Sequence, residues 1–173
     1  MLKKATWFHY MVVAIICAVA LRTFFFSPIT VLGASMQPTY HNHDKVMIMK
    51  NIPLKRQDVI VFSSASTDEN FIKRIIGVPG DTIEVKNNTI YVNGKQQKEQ
   101  YLKNVPTTYE QTTGNAYTYD FTLKEITGKS IVPKGHYFVL GDNRPNSEDS
   151  RSYGFVSEEQ VYGKVIFKYF KNE

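Results

Sequence analysis

Cysteine is nearly absent from this 173-residue chain. Cys17 stands alone, so no intramolecular disulfide can form and the fold must rest on its core. Cys17 lies in an apolar run, where it reads as a small hydrophobic filler. Acids are missing from residues 1–22, which hold Lys3, Lys4 and Arg22 and account for +3 of the +5 net charge. The rest of the chain sets 18 bases against 16 acids. No basic face is evident, and a nucleic-acid binder is disfavoured. No amphipathic pattern of helical period runs long enough after residue 26 to predict a major helix. Metal-site spacing is lacking too. His41-Asn42-His43-Asp44 has ligand residue types, but it reads as a polar loop and no metal is expected. Neither disorder nor a repeat is signalled. What is present, 42% hydrophobic and 13% aromatic residues, suits one globular domain with a real core.

The longest apolar run opens the chain. Ala5 to Leu21 carries no formal charge, and after Arg22 the sequence resumes as TFFFSPITVL. Residues 5–26 are long enough for a helix across a ~30 Å hydrocarbon core if Arg22 snorkels to the interface. Trp7 and Tyr10 stand where aromatic residues favour the headgroup zone. Two lysines before the segment against one arginine after it favour a cytoplasmic N-terminus, residues 1–4. Residues 27–173 then form an extracytoplasmic domain. A competing reading is a cleaved signal peptide, with Ala18-Val19-Ala20 as a small-residue cleavage site.

Beyond residue 26 the apolar segments are short and rich in Val, Ile, Phe and Tyr. They predict strands at Ile29–Leu32, Lys45–Met49, Val59–Phe62, Phe71–Ile76, Thr82–Val85, Thr89–Val92, Tyr137–Leu140 and Val161–Tyr169. Thr82–Val92 reads as a hairpin, because Asn87-Asn88 can adopt the positive φ of a tight turn. Residues 95–132 are polar and weakly periodic and read as a small inserted subdomain. The expected fold is therefore mostly β, an antiparallel-sheet core with a small insertion, preceded by one transmembrane helix.

Three segments carry chemistry. In Gly33-Ala34-Ser35-Met36-Gln37-Pro38-Thr39, a serine at a strand-to-turn junction can expose its hydroxyl and leave backbone N–H groups free; an ordinary turn has the same composition. In Phe71–Asp81, Lys73 interrupts an apolar strand. If Ile72 and Ile75 flank it in a buried site, desolvation favours the neutral amine, which can take a proton from a serine hydroxyl. An isolated lysine more often points to water. The third, Gly141–Arg151, is dense in acids, arginines and hydroxyls, and can supply hydrogen bonds that hold a site.

Together the three resemble the bacterial type I signal peptidase family. Its Ser-Met-x-Pro-Thr box is found at Ser35–Thr39, its Lys-Arg-x-x-Gly-x-Pro-Gly-Asp box at Lys73–Asp81, and its Gly-Asp-Asn-x-x-x-Ser-x-Asp-Ser-Arg box at Gly141–Arg151. The resemblance implies roles. Ser35 is the nucleophile and Lys73 the general base. Ser147 hydrogen-bonds and orients the Lys73 amine, and Met36 packs near that amine and keeps water out. Asp149 pairs with Arg151 and Asp142 with Arg74. The Ser35 N–H is one oxyanion donor. Gram-negative relatives have a serine where this chain has Gly33, so the second donor stays open, a backbone N–H or a water. The single anchor and short insertion look Gram-positive.

The activity implied is a membrane-bound serine endopeptidase that removes signal peptides from exported pre-proteins after a small-x-small site, through an acyl-enzyme and without metal or organic cofactor. The substrate would add as a strand beside Ile29–Leu32 and Phe71–Lys73, with Val31, Tyr40, Phe71 and Ile72 lining shallow apolar pockets. Its partners would be signal peptides and the bilayer, and the enzyme would act as a monomer. Two other readings compete: a repressor-cleaving Ser-Lys autoprotease, which the anchor and the lack of a DNA-binding domain oppose, and a silent homologue, which the presence of both Ser35 and Lys73 opposes.

Overall fold

The computed structural model describes residues 2–63 and 69–171. The expected cytoplasmic start at Met1 and the ends of the expected extracytoplasmic domain, residues 172–173, lie outside the described residues.

Helix α1 (Leu2–Phe25) fulfils the expectation of the apolar run. Its stretch Trp7–Phe25 is long and apolar enough to cross a membrane, and none of it is buried against protein. Nineteen helical residues span about 28 Å, close to a hydrocarbon core. The helix stops one residue earlier than expected, since Phe26 is already the first residue of β1 (Phe26–Thr30). With no linker between them, helix and sheet meet directly.

The strands that follow are β2 (Lys45–Met49), β3 (Val59–Ser63), β4 (Asn70–Gly77), β5 (Ile83–Lys86), β6 (Thr89–Val92) and β7 (Lys95–Gln96). After them come α2 (Val105–Thr113), β8 (Phe121–Thr122), α3 (Leu123–Thr127), β9 (His136–Leu140), α4 (Ser150–Tyr153), β10 (Val156–Ser157) and β11 (Val161–Phe170). They form a seven-stranded sheet in the order β1-β2-β11-β3-β4-β9-β10 and a four-stranded sheet in the order β7-β6-β5-β8. Neighbouring strands pair antiparallel throughout.

Alternation along the strands sorts side chains into separate cores. Both faces of β3 are covered: Val59 and Val61 join Val31, Met36, Val46, Ile48 and Ile72 on one side, while Ile60 and Phe62 join Ile75, Tyr137 and Val139 on the other. Strand β9 does the same, sending Phe138 and Leu140 into a third cluster that includes Ile83, Val85, Ile90 and Phe121 of the small sheet. This is why β3 and β9 read as continuous apolar runs rather than alternating ones.

The hairpin turn falls where expected, with Asn87 at φ 48° and Asn88 at φ 61°. The small sheet, however, contains the hairpin strands β5 and β6 themselves, so it begins before residue 95. The nine-residue α2 was not legible because none of its residues is buried, and a helix with no apolar face leaves no period to read.

Candidate active site

Ser35 lies in the turn that follows β1. The chain beyond β1 stays tied to β2 through Val31 N–H donating to Asp44 O (2.8 Å) and His43 N–H to Val31 O (2.8 Å). It then reverses at Gly33, whose φ of +83° belongs to the left-handed region that glycine adopts without strain. The Gly33 N–H donates to Asn42 Oδ1 (2.9 Å), and the His41 N–H to Asp44 Oδ2 (2.9 Å). Residues 41–44 thus brace the turn. Among the described residues, no group of His, Cys, Asp and Glu is arranged to hold a metal ion.

Lys73 comes from the middle of β4, where it pairs across to Ile60 of β3. It is 3% exposed, and its Nζ lies 2.8 Å from Ser35 Oγ. Residues two apart share a strand face, so its neighbours are Phe71 and Ile75, both packed in the Ile60 cluster. This corrects the expectation that Ile72 flanks the amine: alternation sends Ile72 to the opposite face, among Val31 and Met36. Nζ also stands 5.4 Å from the centre of the Phe71 ring.

Burial lowers the Lys73 pKa from 10.5 to about 8. Asp149, Glu148 and Asp142 act against that shift by favouring the ammonium. The first and last of these are ion-paired, yet their fields still reach the amine. Pairing weakens their effect without removing it, and desolvation wins.

The third box fastens the other two together. Asp142 is fully buried and takes two hydrogen bonds from Arg74, at 2.8 Å and 2.6 Å, and one from Thr39 Oγ1 at 2.5 Å. One carboxylate therefore ties the serine box to the lysine box. Asn143 holds the serine turn by its backbone, its N–H donating to Ser35 O (2.9 Å) and its side-chain amide to Ala34 O (3.1 Å). Asp149 accepts from Arg151 twice at 2.8 Å and from the Gly141 N–H at 3.0 Å. Gly141 must lack a side chain, because a Cβ there would lie 2.6 Å from Ser35 O and 2.1 Å from Ser147 Oγ.

Ser147 departs from expectation. Its Oγ is buried beside Gly141 and makes no hydrogen bond, so the expected bond to the Lys73 amine is not formed in this structure. Lys73 instead donates to Ser35. Met36 is buried in the cluster on the Ile72 side of the sheet.

A cleft opens beside the pair. Around Ser35 and Lys73 it is lined by Leu32–Ala34, Asn70–Ile72, Asn146 and Glu148. It continues as an apolar groove between Pro28–Gly33 and Glu69–Ile72, with Val61 at its base. Of the four residues expected to line the substrate pockets, Val31, Phe71 and Ile72 line this groove. Tyr40 does not: it packs against the cluster of Met36 and Val31, under the Lys168 ammonium, 5.5 Å from its ring centre. In this stretch the 70–73 half of β4 has no partner on its β9 side among the described residues, because the β4–β9 pairing starts at Arg74.

Several supporting groups escaped the sequence reading. Arg144 is 1% exposed and bonds Glu99, Thr118 Oγ1 (3.1 Å) and Gly141 O (2.9 Å). Tyr101 lies over the Arg74 guanidinium at 3.7 Å, and Tyr117 donates to Asp142 O at 2.6 Å. Glu99, Tyr101, Tyr117 and Thr118 come from the weakly periodic segment, where nothing local marks a polar residue as a brace. Arg144 lay inside the third box and was the one available signal.

The family described as "Signal peptidase, peptidase S26" matches residues 4–170. Signal peptidase I of Bacillus caldolyticus is 45% identical over 173 residues, covering 97% of this chain and 90% of that protein. Signal peptidase IB of Staphylococcus aureus is 38% identical, covering 95% of this chain and 88% of that protein. The crystal structure of a signal peptidase I from Enterococcus faecalis V583 superposes with a TM-score of 0.61 at 42% identity, covering 68% of this chain and 99% of that one.

Proposed function

The chain belongs to the signal peptidase I enzymes of the peptidase S26 family, serine endopeptidases that remove signal peptides, and we propose that Ser35 is its nucleophile and Lys73 its general base. The observation that carries this reading is the 2.8 Å contact between Lys73 Nζ and Ser35 Oγ, with the amine buried and its pKa brought down to about 8.

Neutral Lys73 takes the Ser35 proton as Oγ attacks the scissile carbonyl, and the resulting ammonium returns a proton to the leaving amine. Water, deprotonated by Lys73, then releases the acyl group. The Ser35 N–H, which no described residue accepts, is the first oxyanion donor. Gly33 offers no hydroxyl, so a second donor must be another N–H or a water.

The substrate lies extended along the unpaired part of β4, facing Leu32–Ala34, and adds a strand to the sheet. Its last residue before the cut and the residue two earlier point into the groove formed by Val31, Ile72 and Val61. Small side chains at these two positions would give an Ala-x-Ala-like rule. Helix α1 is kept in the mature enzyme with its N-terminus cytoplasmic, the domain beyond it faces outside, and the enzyme works as a monomer. Direct passage from helix to β1 holds the cleft at the membrane surface, which raises its effective concentration for membrane-bound pre-proteins.

The test is cleavage of a pre-protein by the detergent-purified enzyme beside Ser35→Ala and Lys73→Ala. Both variants should be folded and inactive. Near-normal turnover by either, from a clean preparation, would refute the pair.

A further inference from the structure

Glu148 has no task in the reaction just described, yet it lines the same cleft as Ser35 and Lys73. It is exposed, and it forms none of the ion pairs found among the described residues. The arginines of its own loop are committed elsewhere, Arg151 to Asp149 and Arg144 to Glu99. Among the described residues, Lys73 is the only other charged side chain lining this part of the cleft, and it must be neutral to act as base. Farther along, the groove is lined by another carboxylate, Glu69. Among the described residues, the cleft of the competent enzyme therefore presents negative charge and no fixed positive charge.

The face on which Glu148 acts can be read from β4. Val31, Val61 and Ile72 belong to the cluster on one side of the sheet. Phe71 and Lys73 belong to the other, where Tyr153 stacks on Phe71 with ring centres 6.3 Å apart and planes 8° apart. Glu148 lines the part of the cleft that holds Ser35 and Lys73 and not the apolar groove of Val31 and Val61, so it stands on the Lys73 side. An extended substrate alternates in the same way. If its two small residues enter the apolar groove, the residue between them faces Glu148.

We infer that Glu148 is a specificity-determining residue: it favours pre-proteins with Lys or Arg between the two small residues before the cut and disfavours those with Asp or Glu there. The inference rests on the proposed Ser35–Lys73 reading and names a substrate preference of that same site. An ion pair at an exposed site is worth little, so the effect is a bias and not a gate.

The experiment uses three peptide substrates that differ only at that middle position, carrying Lys, Ala or Glu, with the full-length enzyme in detergent. The reading is the ratio of kcat/KM for Lys over Glu, which cancels any change in Lys73 ionisation because both substrates meet the same enzyme. Wild type should prefer Lys by roughly fivefold at low salt, and less at high salt. Glu148→Gln should bring the ratio close to one, and Glu148→Lys should invert it. A wild-type ratio near one, or an unchanged ratio in Glu148→Gln, overturns the inference. Ser35→Ala in the same assay separates the two claims. Cleavage by that variant would sink the nucleophile assignment whatever the ratios show.

Discussion

A buried lysine that must lose its proton is a stability cost, and replacing it should stabilise the protein while abolishing activity. Consider Lys73→Met, which keeps an unbranched side chain one atom shorter. Lowering the Lys73 pKa from 10.5 to about 8 means that the folded state disfavours the ammonium by roughly 3 kcal/mol. The sign follows from linkage. Below about pH 8 the amine is charged both folded and unfolded, and the full cost is present. Between about 8 and 10.5 the unfolded chain binds more protons, so stability rises with pH and the cost disappears. Methionine removes the cost but also the hydrogen bond to Ser35, worth about 1 kcal/mol. Near pH 6.5 the variant should therefore gain about 2 kcal/mol, or roughly 4–8 °C in Tm. Near pH 10.5 the gain should be gone. Denaturation of both proteins in the same detergent at the two pH values measures this. Equal stability at both would mean that Lys73 is not desolvated in the fold.

Other expectations follow from the same contacts. Ser147→Ala should cost little stability, since the hydroxyl is buried without a partner, but should lower kcat more than it raises KM if Ser147 meets Lys73 once substrate is bound; parallel melting curves and kinetics check both. Gly141→Ala should lose most activity and destabilise by about 1–3 kcal/mol, because its methyl would press on Ser35 O; Gly141→Ala with wild-type kinetics would contradict that packing. Glu99→Gln leaves the Arg144 guanidinium buried without its carboxylate and should destabilise by up to ~3 kcal/mol, read by denaturant titration. For topology, protease added to intact protoplasts should remove a C-terminal tag, and a tag that survives would refute an outside domain.

Much of this was legible from the chain alone, for physical reasons that differ by element. The strands were found because β2 and the hairpin carry period-2 apolar patterns, and because β3 and β9, buried on both faces, run apolar without a break. The Ser35–Lys73 contact was expected from motif order, and the backbone brings the two side chains together across 38 residues. What escaped was of two kinds. Strand parity decides that Phe71 and Ile75, and not Ile72, share the lysine's face, and parity is easily misassigned when both faces are apolar. Glu99, Tyr101 and Tyr117 brace Arg144, Arg74 and Asp142 from a segment with no period of its own, where only tertiary placement gives a polar side chain its partner.

The central claim is that a desolvated Lys73 is the base for Ser35. The most direct test is kcat/KM across pH on a signal-peptide substrate, with chemistry shown to be rate-limiting. The account predicts a limb that rises with pH around a midpoint of about 8. A limb centred near 10.5, the ordinary lysine value, would contradict it.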